Sequence, residues 1–248
     1  YTYVGWSWRA NGGTTSTNND GSITSTVQAN TKAGFSIITW TASGNNGSIG
    51  HGLSAKPDFH IIKKYNSSSG WIVYHTTLGA TKFLRLDLSN ASASNQYLYN
   101  NTEPTSTVIN LGDNGGTNHP SGDSYLCYAW HNVEGMQRFG TYIGNGQSGN
   151  GAPFIYTGFR PRMIFIRRTD SSASWYVWDT ARSTFNEIDD YLEWDTSNAE
   201  ETGYANQAYE FFSNGFKPVG NNNIGNSSGG TYIYGAWGDP FKYGNTFP

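Results

Sequence analysis

Apolar residues in this chain come in short runs, separated by clusters of Gly, Asn and Ser. That punctuation predicts strands joined by polar turns. The runs place strands near 34–41, 57–64, 71–76, 82–88, 107–111 and 123–131. A second series falls near 138–143, 152–157, 162–168, 174–179, 190–194, 214–218 and 230–237. Helical periodicity is nearly absent. Its best candidate is 206–213, stopped by Asn214-Gly215. In 125–130, Leu126, Tyr128 and Trp130 share one face, and Tyr125, Cys127 and Ala129 share the other. Neither face is polar, so this strand is expected to be central and covered on both sides. No crossover helices are available, which argues against a parallel α/β sheet.

The pattern also repeats. Trp71-Ile72-Val73-Tyr74-His75 matches Trp175-Tyr176-Val177-Trp178-Asp179 at an offset of 104. The same offset aligns Phe35 with Phe139, Pro57 with Pro161, and Lys63-Lys64 with Arg167-Arg168. Offsets of 108 and 107 align 86–91 with 194–199 and 125–130 with 232–237. Matches in one order predict two copies of one unit. The expected fold is all-β: two tandem, related, jelly-roll-like β-sandwich domains at 34–132 and 137–239. Trp71, Trp130, Trp175 and Trp237 recur in both copies and are expected in the cores. The Tyr3…Trp8 spacing echoes Tyr125…Trp130, so residues 1–8 read as the closing strand of a preceding domain in a longer polypeptide. Residues 9–33 are poor in apolar residues and read as a linker with one strand near 22–27. Residues 240–248 read as a C-terminal tail.

Composition narrows the functional classes. Charged residues are 13% of the chain and the net formal charge is −3, which argues against nucleic acid as a partner. No apolar run of about 18 residues exists to insert into a membrane. The single cysteine, Cys127, forms no intrachain disulfide and reads as a small core residue. Aromatics are 16% and Gly numbers 31, a vocabulary shared with adaptable recognition surfaces.

Several phrases resemble a family of phage domains. They are 33–40 (Ala-Gly-Phe-Ser-Ile-Ile-Thr-Trp), Gly50-His51-Gly52-Leu53 with Pro57, Tyr74-His75, and Leu78-Gly79-Ala80. Later come 156–161, Ser213-Asn214-Gly215-Phe216, 230–234 and 239–243. The chain resembles an uncharacterised module at the C-terminal end of tail-fibre-like and other virion proteins of marine bacteriophages. There it often follows a concanavalin-like, laminin-G-like domain. The resemblance implies a place on the virion, other virion proteins as partners, a homo-oligomer, and a host receptor such as a cell-surface glycan. It transfers no catalytic residues.

The residues themselves argue against an enzyme. His51, His60, His75, His119 and His131 lack helical metal spacing, and no Cys cluster accompanies them. No Gly-x-Ser-x-Gly elbow is present. Glu193-Trp194-Asp195 resembles the first part of a glycoside hydrolase acid strand, but the next acid, Glu200, falls on the wrong parity. The oxygen-rich stretches 113–116 and 186–190 could supply calcium ligands but do not match the EF-hand spacing and read more simply as polar turns, so no cofactor or metal ligand is assigned. Sugar binding fits better. Trp40, Tyr65, Tyr97, Tyr99 and Trp194 lie in or beside polar segments and are the candidate ligand-binding residues. The expectation is a non-enzymatic tail-fibre or similar module acting in host attachment. A purely structural fibre or capsid-decoration module and a polysaccharide-degrading hydrolase are the alternatives.

Overall fold

The computed structural model describes residues 3–239. The fold is all-β, built from antiparallel sheets, and its chain divides into two compact units. Among the described residues, unit 1 comprises 3–83 and 94–131, and unit 2 comprises 84–93 and 132–239. The expected tail, 240–248, lies outside the described residues.

In unit 1 the strands are β1 (Ser16–Asn18), β2 (Ser25–Asn30), β3 (Phe35–Thr41), β4 (Gly47–Gly50), β5 (Phe59–Lys64) and β6 (Trp71–His75). β7 (Lys82–Arg85) and β8 (Ala93–Ser94) straddle the boundaries of the 84–93 segment, and unit 1 continues with β9 (Val108–Leu111) and β10 (Ser124–Trp130). The main sheet runs β1-β2-β3-β10-β5-β6, with β7 and β8 at the end of this order. β4 and β9 pair separately. Ile49, Ile109 and Leu111 of that pair meet Ile38, Trp40, Ile62, Tyr74, Tyr125 and Cys127 of the main sheet in one buried cluster. A short helix, α1 (Gln96–Tyr99), adds Leu98 and Tyr99 to it. Asn95 caps α1 by accepting from the Tyr97 amide.

Unit 2 contains β11 (Gln137–Ile143), β12 (Ile155–Tyr156), β13 (Pro161–Arg168), β14 (Tyr176–Asp179) and β15 (Tyr191–Glu193). They are followed by β16 (Tyr209–Phe212), β17 (Gly215–Pro218) and β18 (Thr231–Gly238). One sheet runs β11-β18-β13-β14-β15 and a smaller one β12-β17-β16. Ile155, Phe211 and Phe216 of the small sheet pack with Ile164, Ile166, Trp178, Tyr232 and Tyr234 of the large one.

The ladders of the two units follow one scheme. β10 lies between β3 and β5, and β18 lies between β11 and β13. Both apolar-faced strands are therefore central, as their faces predicted. Phe59 pairs with His75 and Met163 with Asp179, so β5-β6 and β13-β14 match at the offset of 104. Side chains follow. Lys63 lies 5.4 Å over Trp71 and Arg167 lies 5.5 Å over Trp175. Lys64 lies over Tyr125 and Arg168 over Tyr232. Trp40 stacks on Tyr125 at 5.4 Å and Tyr142 on Tyr232 at 5.2 Å. The Asn118 amide holds the turn at Ser43–Asn45, and Asn226 holds the corresponding turn at Asn145–Gln147.

The structure corrects several expectations. Trp40 pairs with Tyr125, and Tyr142 with Tyr232, so β3 matches β11 at 102 rather than 104. The Phe35–Phe139 match is two residues out of register. Residues 86–91 belong to unit 2, as do 194–199, so their likeness does not relate the two units. Residues 9–33 are not a linker. β2 pairs along β3, with Ser25 and Val27 buried against the core. Low apolar content misled because only one face of a strand at this position needs to be apolar. Residues 3–8 form no strand; Trp8 instead sets its ring edge-on to Trp130. The predicted helix at 206–213 is a 3-10 turn, Ala205–Gln207, followed by β16. Tyr209 and Phe211 face inward, which is a period of two. Trp71 is half-buried, whereas Trp175 is fully buried. Residues 84–93 account for the latter: the Trp175 indole donates to the Arg85 carbonyl at 2.8 Å. The adjacent Arg167 guanidinium donates to the carbonyls of Leu88 and Asn90.

Candidate functional site

The five aromatics singled out by sequence do not form a site. Trp40 and Tyr99 are buried in the unit 1 core and present no ring face to a ligand. Trp194 is half-buried, its ring 5.5 Å from that of Phe165 in unit 2. Tyr65 and Tyr97 are each 58% exposed, but they sit on separate elements of unit 1: Tyr65 follows β5 and Tyr97 lies in α1.

A different set of rings is gathered on unit 2. The outer face of the small sheet carries Phe154, Tyr156 and Phe212, exposed by 48%, 57% and 36%. Alternation puts them there. Ile155, Phe211 and Phe216 point into the core, so their neighbours point out. Across the sheet, Tyr156 pairs with Gly215 and Gly215 with Phe212, so the glycine separates two rings in one row. Phe154 covers the gap. A Cβ on Gly215 would lie 2.6 Å from the Phe154 Cζ and 2.3 Å from the Ile155 carbonyl oxygen. Glycine thus lets Phe154 lie down on the sheet, 5.7 Å from Phe212 and edge-on to it. Glu210 and Lys217 form a 2.7 Å ion pair on the same face, with the Lys217 ammonium 5.7 Å from the Phe212 ring centre.

Beside Tyr156 the surface dips into a cleft of about 370 Å³. Its walls are Asn132, Glu134, Gln137, Arg138, Tyr156 and Thr157 with neighbouring backbone. The Asn132 carboxamide oxygen accepts from the Phe139 amide at 2.7 Å, which fixes that wall. The Arg138 guanidinium stands 5.8 Å over the Tyr156 ring. Arg138 also opposes the effect of burial on Tyr234, which raises that phenol above its ordinary value. An exposed aromatic row next to a polar cleft can stack a sugar ring and hydrogen-bond its hydroxyls. Sequence pointed to none of these residues. The available signal was the alternation in 153–157 and 209–212, with Asn214-Gly215 between strands.

The chain belongs to the DUF7483 family, a domain of unknown function. That family's model matches residues 1–240 and so spans both units. No curated protein and no solved structure matches the chain.

The residues that suggested catalysis or metal binding are engaged elsewhere. Glu193 accepts from Thr196 and Asn198, and Asp195 accepts from the Trp175 amide. His119 meets Asp113 at 2.8 Å on the surface of unit 1. Asn186 bonds both backbone groups of Phe211, and Ser183 bonds Asp189 and the Asp190 amide. Among the described residues no group of three His, Cys, Asp or Glu converges on a metal position. Burial pushes the Cys127 thiol well above its ordinary range, consistent with a core residue.

Proposed function

We propose that this chain is a non-enzymatic attachment module of a phage virion, part of a tail fibre or similar appendage. In this reading it holds host surface glycans on the aromatic face of unit 2. The exposed row of Phe154, Tyr156 and Phe212 carries the proposal. Monomeric proteins rarely leave three large rings together in water, and such patches mark binding surfaces. The charged residues on and beside this face, Glu210, Lys217 and Arg138, supply polar partners for hydroxyls. The matched ladders support reading the two units as tandem copies of one jelly-roll-like sandwich module. The virion context rests on the resemblance carried by the phrases at 33–40, 50–57 and 213–216. It makes other virion proteins and copies of this chain the expected partners, with each site weak and attachment strengthened by their number.

A glycan array and host polysaccharide titrations test the proposal. The variant combining Phe154→Ala, Tyr156→Ala and Phe212→Ala should weaken binding by at least roughly tenfold, about 1.4 kcal/mol. Its melting temperature should stay close to that of the native chain, because all three rings are exposed. The polymer should be recovered intact, with no new reducing ends. Undiminished binding by a folded triple variant would refute the assignment to this face.

A further inference from the structure

Two positions that are small in unit 1 carry the chemistry of the cleft in unit 2. The matched registers place Ser36 where unit 2 has Arg138. Ile49 with Ile109, and Ile155 with Phe216, likewise place Gly50 where unit 2 has Tyr156. Gly52 and Gly158 follow two residues later, both with positive φ.

The reason Gly50 is small is visible in unit 1. A Cβ there would lie 1.6 Å from the Asn18 side-chain oxygen, so β1 occupies that space. Strand β2 continues the covering. Val27 and Ala29 reach within 3.3 Å of the position a Gly52 Cβ would take, and the Ser25 hydroxyl donates to the Gly50 carbonyl. Among the described residues unit 2 has no such covering strands, and β11 ends the order of its sheet. The positions that meet β1 and β2 in unit 1, Ser36, Gly50 and Gly52, match cleft-lining residues of unit 2, Arg138, Tyr156 and Gly158, with the Tyr156 phenol beside Gly158.

The cleft is not a passive gap, because its new side chains include a cation without a counter-ion. Four arginines of the described residues, Arg85, Arg162, Arg168 and Arg182, are paired with carboxylates. Arg138 makes no ion pair among the described residues. Its planar guanidinium, held over an exposed aromatic ring, suits bidentate recognition of a carboxylate. Glu134, the acid in the same lining, lies beyond ion-pair distance of Arg138 and can accept hydroxyls.

We propose that this cleft selects acidic sugars, binding the carboxylate of a uronic or sialic acid residue on Arg138 while Tyr156 carries the pyranose ring. The inference rests on the glycan-binding reading above and narrows its ligand class. Because a cation without a counter-ion sits at the point of contact, binding of such a sugar should weaken as salt rises.

Calorimetric titration of the whole chain separates the two levels. The probes are oligogalacturonate against the neutral galactose oligomer, and sialyllactose against lactose. At low salt the carboxylated member of a pair should bind roughly tenfold more tightly than its neutral partner. Raising salt to about 1 M, where the screening length falls to about 3 Å, should shrink that gap. Arg138→Gln should close the gap by weakening the carboxylated member far more than its neutral partner, and Tyr156→Ala should weaken both members about equally. Equal affinity within each pair, unaffected by Arg138→Gln, would overturn the acidic-sugar inference and leave the glycan reading standing. Absence of binding to every probe and to a broad glycan array would overturn both.

Discussion

Replacing His60 with isoleucine should make unit 1 more stable, and more so as the solution is acidified. His60 lies in β5 and is fully buried. Neither ring nitrogen has a hydrogen-bond partner among the described residues. The ring stacks on Tyr74 at 4.6 Å and meets the edge-on ring of Tyr99 at 5.3 Å. At the same ladder position, opposite the corresponding alanine of β18, unit 2 carries Ile164. An unsatisfied buried polar group costs about 1–3 kcal/mol. The aromatic stacking that would be lost is worth about 0.5–1.5 kcal/mol. The exchange should therefore gain about 1 kcal/mol near neutral pH. Burial, with a smaller contribution from nearby His51, pushes the His60 pKa down to about 3 from 6.5. The folded state thus keeps a neutral ring while the unfolded chain takes up a proton below about pH 6.5. Stability is lost as pH falls through that window. Between about pH 6.5 and 4.5 the loss attributable to His60 is on the order of 2 kcal/mol. Urea unfolding near pH 7 and near pH 4.5 would measure it. The variant should retain the acid sensitivity that His51, lowered by burial to about 4, contributes. Native and variant stabilities that stay parallel between the two pH values would refute the argument.

Trp175→Ala should cost about 3–5 kcal/mol, because the ring is fully buried and its indole bond to Arg85 would be lost. Trp71→Ala, at the matching but half-buried position, should cost clearly less; thermal melting of the two variants gives the ranking. Gly215→Ala should destabilise unit 2 by about 1–3 kcal/mol, since the added methyl meets the Ile155 carbonyl and displaces Phe154, and it should weaken glycan binding in the same titrations.

Most strands, and the shared spacing of the two tryptophan runs, could be read from residue order because both are patterns along the chain. Period-two alternation and Gly-Asn-Ser turns mark most strands, though not β4 or β16, and the two tryptophan runs recur with their basic partners at a constant spacing. The centrality of β10 and β18 was legible for the same reason: a strand with two apolar faces needs a layer on each side. The exposure of a given aromatic was not legible. Trp40 in a Ser- and Thr-rich setting is buried, while Phe212 in the apolar phrase Tyr-Glu-Phe-Phe faces water. Burial depends on what lies across from a residue, and those neighbours come from distant segments. Gly215 faces Phe154, Gly50 faces Asn18, and Trp175 is capped by a segment about ninety residues earlier, at Arg85. Four strands of each large sheet follow one pairing scheme, yet among the described residues β3 is flanked by β2 whereas β11 ends its sheet order near a cleft. Residue order determined most of the strands; only the tertiary structure decided which unit's sheet edge was left uncovered, because covering is a contact between segments that local periodicity does not encode.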